Sequence, residues 1–256
     1  LIVLVNSALA VILLALVFRQ KSHSFAQNQF ISNAGRNAVV GFAALLTTVA
    51  LFHGNAALKR PLSGESIKLS LLQGNIDLEK KRNPRKYAGF IMQQYVDLTK
   101  KASKDRPDLI VWPEAATPGL VLKHMGLYRQ LRTLIRDVGT HLLVGSSEFP
   151  KFDKTLQKRR KVGNTALFFS PEGKVLGQYL KIRLLPFGEY IPYEDTFPWP
   201  SFIVPNQHQN WEIPGREYTL FELDAARFGV IICWENAFPG LFRQFVKDGA
   251  NLMINI

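Results

Sequence analysis

The chain has 256 residues, 47% of them hydrophobic, and a formal net charge of +12. Its single cysteine excludes an intramolecular disulfide and any cysteine-rich zinc site, and it holds no Walker loop, dinucleotide-binding glycine pattern, HExxH motif, repeat or low-complexity tract. The charge is compatible with nucleic acid, with anionic lipid, or with positive loops beside membrane helices.

Residues 1–18 are apolar apart from Asn6 and Ser7, a length suited to crossing a bilayer. A signal peptide would want a basic start, a shorter apolar core and a small-residue cleavage site; here Arg19 and Lys21 follow the run instead. Residues 38–52 form a second apolar stretch, extendable through Ala56, Ala57 and Leu58. The loop between them carries Arg19, Lys21 and Arg36 and no acid. Positive loops stay in the cytoplasm, so the first span is expected to run inward and the second outward, leaving everything after Asn55 outside the cytoplasm. The chain starts without Met on one apolar run and stops at Asn255-Ile256 inside another, which reads as a fragment open at both ends.

A short linker carries Lys59, Arg60, Pro61 and Gly64. Residues 67–72 then read as a strand ended by Gln73-Gly74-Asn75. Asn83-Pro84 predicts the start of a helix, with Tyr87, Phe90, Ile91, Tyr95, Val96 and Leu98 as its apolar positions. Residues 108–112 read as a buried strand halted by Pro113, with Glu114 next. A helix is expected over 127–138 and a strand over 142–145. Residues 152–161 have the basic, polar composition of a solvated loop. Residues 166–169 and 175–179 flank Ser170-Pro171-Glu172-Gly173-Lys174, a hairpin signal. The stretch 187–211 is rich in proline and aromatics. Residues 221–223 and 229–232 make a last hairpin. Leu241, Phe242, Phe245 and Val246 fall at helical spacing after it, and 252–256 begin a further strand. Strands alternating with helices, plus hairpins, point to an α/β layered sandwich with a mixed sheet.

The cysteine, Cys233, sits where the strand ending at Ile232 hands over to a helix. Free N–H groups and the positive end of a helix favour a thiolate. Free cysteines are also among the most buried residues, so this stretch leaves a nucleophile and a core cysteine both open. A nucleophilic thiol needs a base and a donor for the oxyanion. Of the five histidines, His23 and His53 lie by the apolar spans, and His124, His141 and His208 stand at no strand end, which argues against a Cys-His pair. Carboxylates are better placed: Glu114 follows a strand and a rigid proline, Glu189 follows another strand, and Glu235 is two residues past the cysteine. Lys181 closes the strand 175–180 and precedes apolar residues, a frame in which a lysine is paired or functional. Each alone also fits an ordinary salt bridge; together they mark equivalent strand ends.

Trp112-Pro113-Glu114, Lys181 followed eight residues later by Glu189 in Leu185-Pro186-Phe187-Gly188-Glu189-Tyr190-Ile191-Pro192, and Cys233-Trp234-Glu235 resemble the nitrilase superfamily in order and spacing. Leu72-Gln73-Gly74-Asn75, the run 186–192 and the upstream apolar spans are similar to its membrane branch, the apolipoprotein N-acyltransferases. The resemblance implies an αββα sandwich over residues 65–256, C-terminally incomplete, preceded over residues 1–58 by two transmembrane helices that end a larger membrane domain. It implies Glu114 as general base, Lys181 as stabiliser of the tetrahedral intermediate and Cys233 as nucleophile, with Glu189, Glu235 and Trp234 in support and neither cofactor nor metal. The reaction implied passes an acyl chain from a membrane phospholipid through a Cys233 thioester to the N-terminal amine of a lipoprotein whose first cysteine is lipid-modified. The partners implied are phospholipid, lipoprotein and membrane, not nucleic acid. The location implied is the bacterial inner membrane, multi-pass, with the catalytic domain on the periplasmic side. The sequence departs from the family at Trp234, where tyrosine is usual, and at Leu185, where valine is usual.

The aromatic stretch 197–204 reads either as a lid that dips into the lipid interface, led by Trp199 and Phe202, or as a loop on the domain's own core. Two other readings stay open: a membrane-tethered amidohydrolase of the same superfamily, and a non-enzymatic anchored binding protein with Cys233 structural.

Overall fold

A computed structural model describes residues 33–60, 65–150, 161–194, 196–200, 212–224 and 226–256. The expected span 1–18 with Arg19 and Lys21, the basic excursion 152–160 and the lid residues 201–204 lie outside the described residues. The chain divides into two compact units, Leu1–Gly64 and Glu65–Ile256.

In the first unit, helix α1 runs Asn33–Leu58. Within it Asn37–Leu58 is long and apolar enough to cross a membrane. Phe42, Leu45, Leu51 and Phe52 stand exposed along it, a display of large apolar side chains that water disfavours.

The second unit carries β1 (Leu69–Leu71), α2 (Leu78–Arg82), α3 (Ala88–Ser103), β2 (Leu109–Val111), α4 (Met125–Val138), β3 (His141–Glu148), β4 (Gly163–Phe169) and β5 (Val175–Leu180). Then come β6 (Leu220–Leu223), β7 (Ala226–Ile231), a 3₁₀ turn (Cys233–Ala237), α5 (Pro239–Lys247) and β8 (Leu252–Asn255). One sheet has the order β1-β2-β3-β4-β5, the other β6-β7-β8. β1, β2 and β3 pair in parallel, and β4 and β5 add on antiparallel. In the second sheet β7 pairs antiparallel with β6 and parallel with β8.

Alternation along the strands builds the layers, because successive side chains point to opposite faces. Leu109, Val111, Leu143, Ala166 and Phe168 of the first sheet join Phe221, Leu223, Phe228 and Val230 of the second in one core. Ile110, Trp112, Leu142, Val144, Leu167 and Phe169 point the other way and meet Ile91, Met92 and Tyr95 of α3 and Leu131, Leu134 and Ile135 of α4. Strands buried on both faces read as continuous apolar runs, as these do. Phe168 knits the sheets, edge-on to Phe221 at 5.4 Å and to Phe228 at 5.2 Å between ring centroids.

Two elements differ from their sequence expectation. Asn83-Pro84 opens a turn, with Tyr87 N–H bonded to the Asn83 carbonyl at 3.2 Å, and the helix starts only at Ala88. β3 continues past Gly145 to Glu148 because its ladder with β4 runs on through Ser146↔Thr165, Ser147↔Asn164 and Glu148↔Gly163. Polar residues at the end of a strand look like a stop, yet Glu148 is buried and accepts from Leu122 N–H and Ser146 Oγ, both at 3.1 Å. Burial pushes that carboxyl up to about 7.

Candidate active site

Glu114 is delivered by the Trp112-Pro113 turn at the end of β2. Trp112 N–H bonds Leu143 O at 2.8 Å, its indole N–H bonds Thr99 Oγ1 at 2.9 Å, and its ring stacks on Tyr95 at 4.7 Å. The next residues turn sharply: Ala115 is left-handed, with φ 48°, and Ala116 N–H bonds Gly145 O at 2.9 Å. The turn lies flush on β3, since a Cβ at Gly145 would stand 2.1 Å from the Pro113 oxygen. We expect Gly145→Ala to cost about 1–3 kcal/mol, as overpacking does, and to lower thiol reactivity by moving Glu114. Urea unfolding checks the first; unchanged stability would show that the turn yields freely.

Lys181 follows β5 directly and is fully buried. Its backbone is held at both ends, N–H to Asn164 O at 2.9 Å and O to Gly215 N–H at 2.7 Å. Its ammonium lies 2.5 Å from Glu189 Oε1 and 3.5 Å from Glu114 Oε1. Burial, the largest influence, pulls Lys181 down. The Glu189 hydrogen bond and the charges of Glu114, Glu189 and Cys233 outweigh it, so the group stays above its ordinary value and charged. Glu189 is oriented by Leu185 N–H, which donates to Oε2 at 2.8 Å, within a tight turn where Phe187 has φ 62°.

Cys233 is exposed, so it is no core cysteine. It sits at the end of β7 with φ 56°, a left-handed conformation unusual for a side-chain-bearing residue. Its N–H is tied to Ile256 O at 2.7 Å. Glu114, Lys181 and the Trp234 backbone N–H all act on the thiol. Sequence reasoning expected a helix end and a lysine to lower this thiol. Instead burial first, then Glu114, raise it against the pull of Lys181 and Trp234. The 3₁₀ turn intervenes and α5 starts only at Pro239, so the nearest donor is one N–H, not a helix end.

Glu235 is wholly buried and faces the scaffold. It accepts from Tyr179 Oη at 3.0 Å and from the backbone N–H groups of Ile182, Arg183 and Ile232 at 2.8, 2.9 and 2.8 Å. Burial, then the Glu235 charge, push the Tyr179 phenol well above its usual range. Glu235 therefore clamps the segment after Lys181 to the one before Cys233. Trp234 donates its indole N–H to Arg183 O at 2.9 Å and stands edge-on to Phe238 at 4.9 Å. Its one polar atom finds a backbone acceptor, although the hydroxyl of the usual tyrosine is gone.

The structure thus brings Glu114, Lys181, Cys233 and Glu189 together and places Glu235 and Trp234 behind them. Two neighbours were not read from the sequence. Asn164 Nδ2 donates to Glu114 Oε1 at 2.5 Å, and Glu212 lies close enough to be influenced by Glu189, Lys181 and Glu114. A lone Asn opening a strand and a Glu among polar loop residues carry no pattern that marks them. A cavity of about 300 Å³ opens beside the Glu114 turn, lined by Ile76, Lys81, Tyr95, Ala115, Thr117 and Ser147 among others; neither Cys233 nor Lys181 lines it. Among the described residues no cluster of three His, Cys, Asp or Glu side chains is arranged to hold a metal ion.

Two stacked sheets with a thiol, an ammonium and carboxylates at their strand ends are the arrangement of an acyltransferase or hydrolase. The chain belongs to the carbon-nitrogen hydrolase family, whose model matches residues 68–256. It is 34% identical over 222 residues to the apolipoprotein N-acyltransferase of Geobacter metallireducens, covering 86% of this chain and 41% of that protein. It is 30% identical over 227 residues to that of Bdellovibrio bacteriovorus, covering 84% and 40%. The chain spans about two fifths of the length of these curated relatives. An amidase from Nesterenkonia sp. shares the fold, with a TM-score of 0.54 at 18% identity over 76% of this chain and 65% of that one.

Proposed function

We propose that this chain carries the catalytic part of an apolipoprotein N-acyltransferase that works by a two-step exchange. Glu114 takes the thiol proton and Cys233 sulfur attacks the ester carbonyl of a phospholipid. The ammonium of Lys181 and the backbone N–H of Trp234 receive the developing oxyanion. The carbonyl re-forms as the lysophospholipid oxygen leaves with the proton from Glu114, giving a thioester. The amine of a lipoprotein's lipid-modified N-terminal cysteine then attacks that thioester. Glu114 removes its proton and returns one to the departing sulfur, and an amide results. No electron is gained or lost, and atoms balance without a co-reactant. Splitting one hard step into two is what a thiol nucleophile offers.

The observation that carries this reading is the convergence of Glu114, Lys181 and Cys233, together with relatives named apolipoprotein N-acyltransferase. The apolar helix Asn37–Leu58 supports a bilayer location. We place the protein in the bacterial inner membrane, as a multi-pass protein with the second unit on the periplasmic side. Exposed Phe187, Tyr193 and Phe197, with Trp199 edge-on to Phe187 at 5.0 Å, support an approach to lipid by this loop.

A second reading, a membrane-tethered amidohydrolase, is favoured by the fold shared with an amidase. Mass spectrometry of the full-length protein incubated with phosphatidylethanolamine separates the two. We expect a palmitate-sized adduct on Cys233 that moves to a lipopeptide amine. Free fatty acid without transfer would favour the hydrolase, and an unmodified Cys233 would overturn both.

A further inference from the structure

We propose that Glu212 is a positioning residue of this site, a further acid that joins the two carboxylates gripping Lys181 and sets how much negative charge surrounds the thiol. Its N–H donates to Glu189 O at 3.0 Å. The Asn164 backbone N–H acts on its carboxyl, and the Asn164 side chain in turn donates to Glu114. The segment is fastened on either side of these contacts. Ile213 N–H bonds Val162 O at 3.0 Å, Gly215 N–H bonds Lys181 O at 2.7 Å, and a Cβ at Gly215 would stand 2.1 Å from Leu180 O. Glu212 is thus locked against the ends of β4 and β5, the strands that present Asn164 and Lys181. Its Oε2 is buried with no hydrogen-bond partner, the state of a carboxyl not fully compensated as an anion.

The charges that face it are Glu189, Lys181 and Glu114. Glu114 and Glu189 pair with the Lys181 ammonium, and Glu212 is a third carboxyl under its influence. Burial first, then Glu189 and Glu114, push Glu212 up to about 7, against the pull of Lys181 and the Asn164 N–H. The sign follows directly. Below about pH 7 Glu212 holds its proton and adds no charge. Above it, a new negative charge appears beside Glu114 and Glu189 and disfavours a thiolate at Cys233.

The meaning of this tuning rests on the thiol chemistry proposed above, but its test needs no lipid, so the two fail separately. Iodoacetamide alkylation of the full-length protein, read by mass spectrometry on the peptide that carries Cys233, reports this thiol alone. In the wild type the log rate should climb one decade per pH unit below about pH 6 and again above about pH 8, with a break between them in which it falls behind by about 0.3–0.5 of a decade. In Glu212→Gln the climb should be unbroken. The rates should coincide at pH 6, and the variant should be about two- to threefold faster at pH 8.5, the size of a like charge at a short remove. A purely structural Glu212 would shift both limbs of the profile together and keep the break. An unbroken wild-type profile, which needs no variant to measure, overturns the proposal, and so does a break retained in Glu212→Gln.

Discussion

Replacing Lys181 by methionine should lower formation of the proposed Cys233 thioester by about a thousandfold, the range expected when a buried oxyanion donor is lost. Methionine nearly fills the volume, so the packing around the end of β5 survives and the loss falls on chemistry. The ammonium does two things from one position. It sits 2.5 Å from Glu189 and 3.5 Å from Glu114, beside the proposed base, and in the proposed mechanism its remaining protons meet the intermediate. Without it, Glu114 and Glu189 lose the cation they both face, so the proposed base loses its partner along with the donor. Lys181→Arg should not rescue activity, because the planar fork has no room in a fully enclosed site. Single-turnover measurement of the adduct by mass spectrometry checks both variants. Thioester formation within tenfold of wild type in Lys181→Met would remove the lysine from the mechanism.

The second large effect concerns Glu235. Glu235→Gln should cost about 2–4 kcal/mol, because charge-assisted bonds to a carboxylate are each worth roughly 1.5–3 kcal/mol and an amide nitrogen cannot accept them. Tyr179, Ile182, Arg183 and Ile232 all donate to this one side chain, so turning an acceptor into a donor leaves at least one N–H facing another. The melting temperature should fall by about 5–15 °C. Thiol reactivity should change even well below the transition, since Ile182 adjoins Lys181 and Ile232 adjoins Cys233. Differential scanning fluorimetry and alkylation rates test the two halves. A melting temperature within a degree of wild type would mean that the clamp carries no weight.

How much of this was legible in the sequence follows from where each signal resides. The strand before Glu114 and the hairpin of β4 and β5 are marked by apolar runs and by a Pro-Glu-Gly turn, features local to a few residues. The end of β3 was missed because Ser146, Ser147 and Glu148 are polar, and only the partner strand shows that they remain in the ladder. The start of α3 was placed early because Asn83-Pro84 is a start signal that the chain spends on a turn. Among the site residues, Glu114, Lys181, Glu189 and Cys233 were visible through spaced motifs. Asn164 and Glu212 were not, because their part is defined wholly by contacts with distant chain. The thiol shows the same limit. The nearby lysine is legible as an influence, but burial and the Glu114 charge outweigh it, and neither is written in the residues around Cys233.

The base and the ammonium come from the five-stranded sheet, and the sulfur comes from the three-stranded one. Neither leaf alone has a complete reaction centre. Catalytic competence is therefore a property of the docked pair, and it vanishes in any collapsed state that keeps its strands but lets the interior slide. On the mechanism proposed above, the docking of the two leaves acts as the safety catch on the nucleophile.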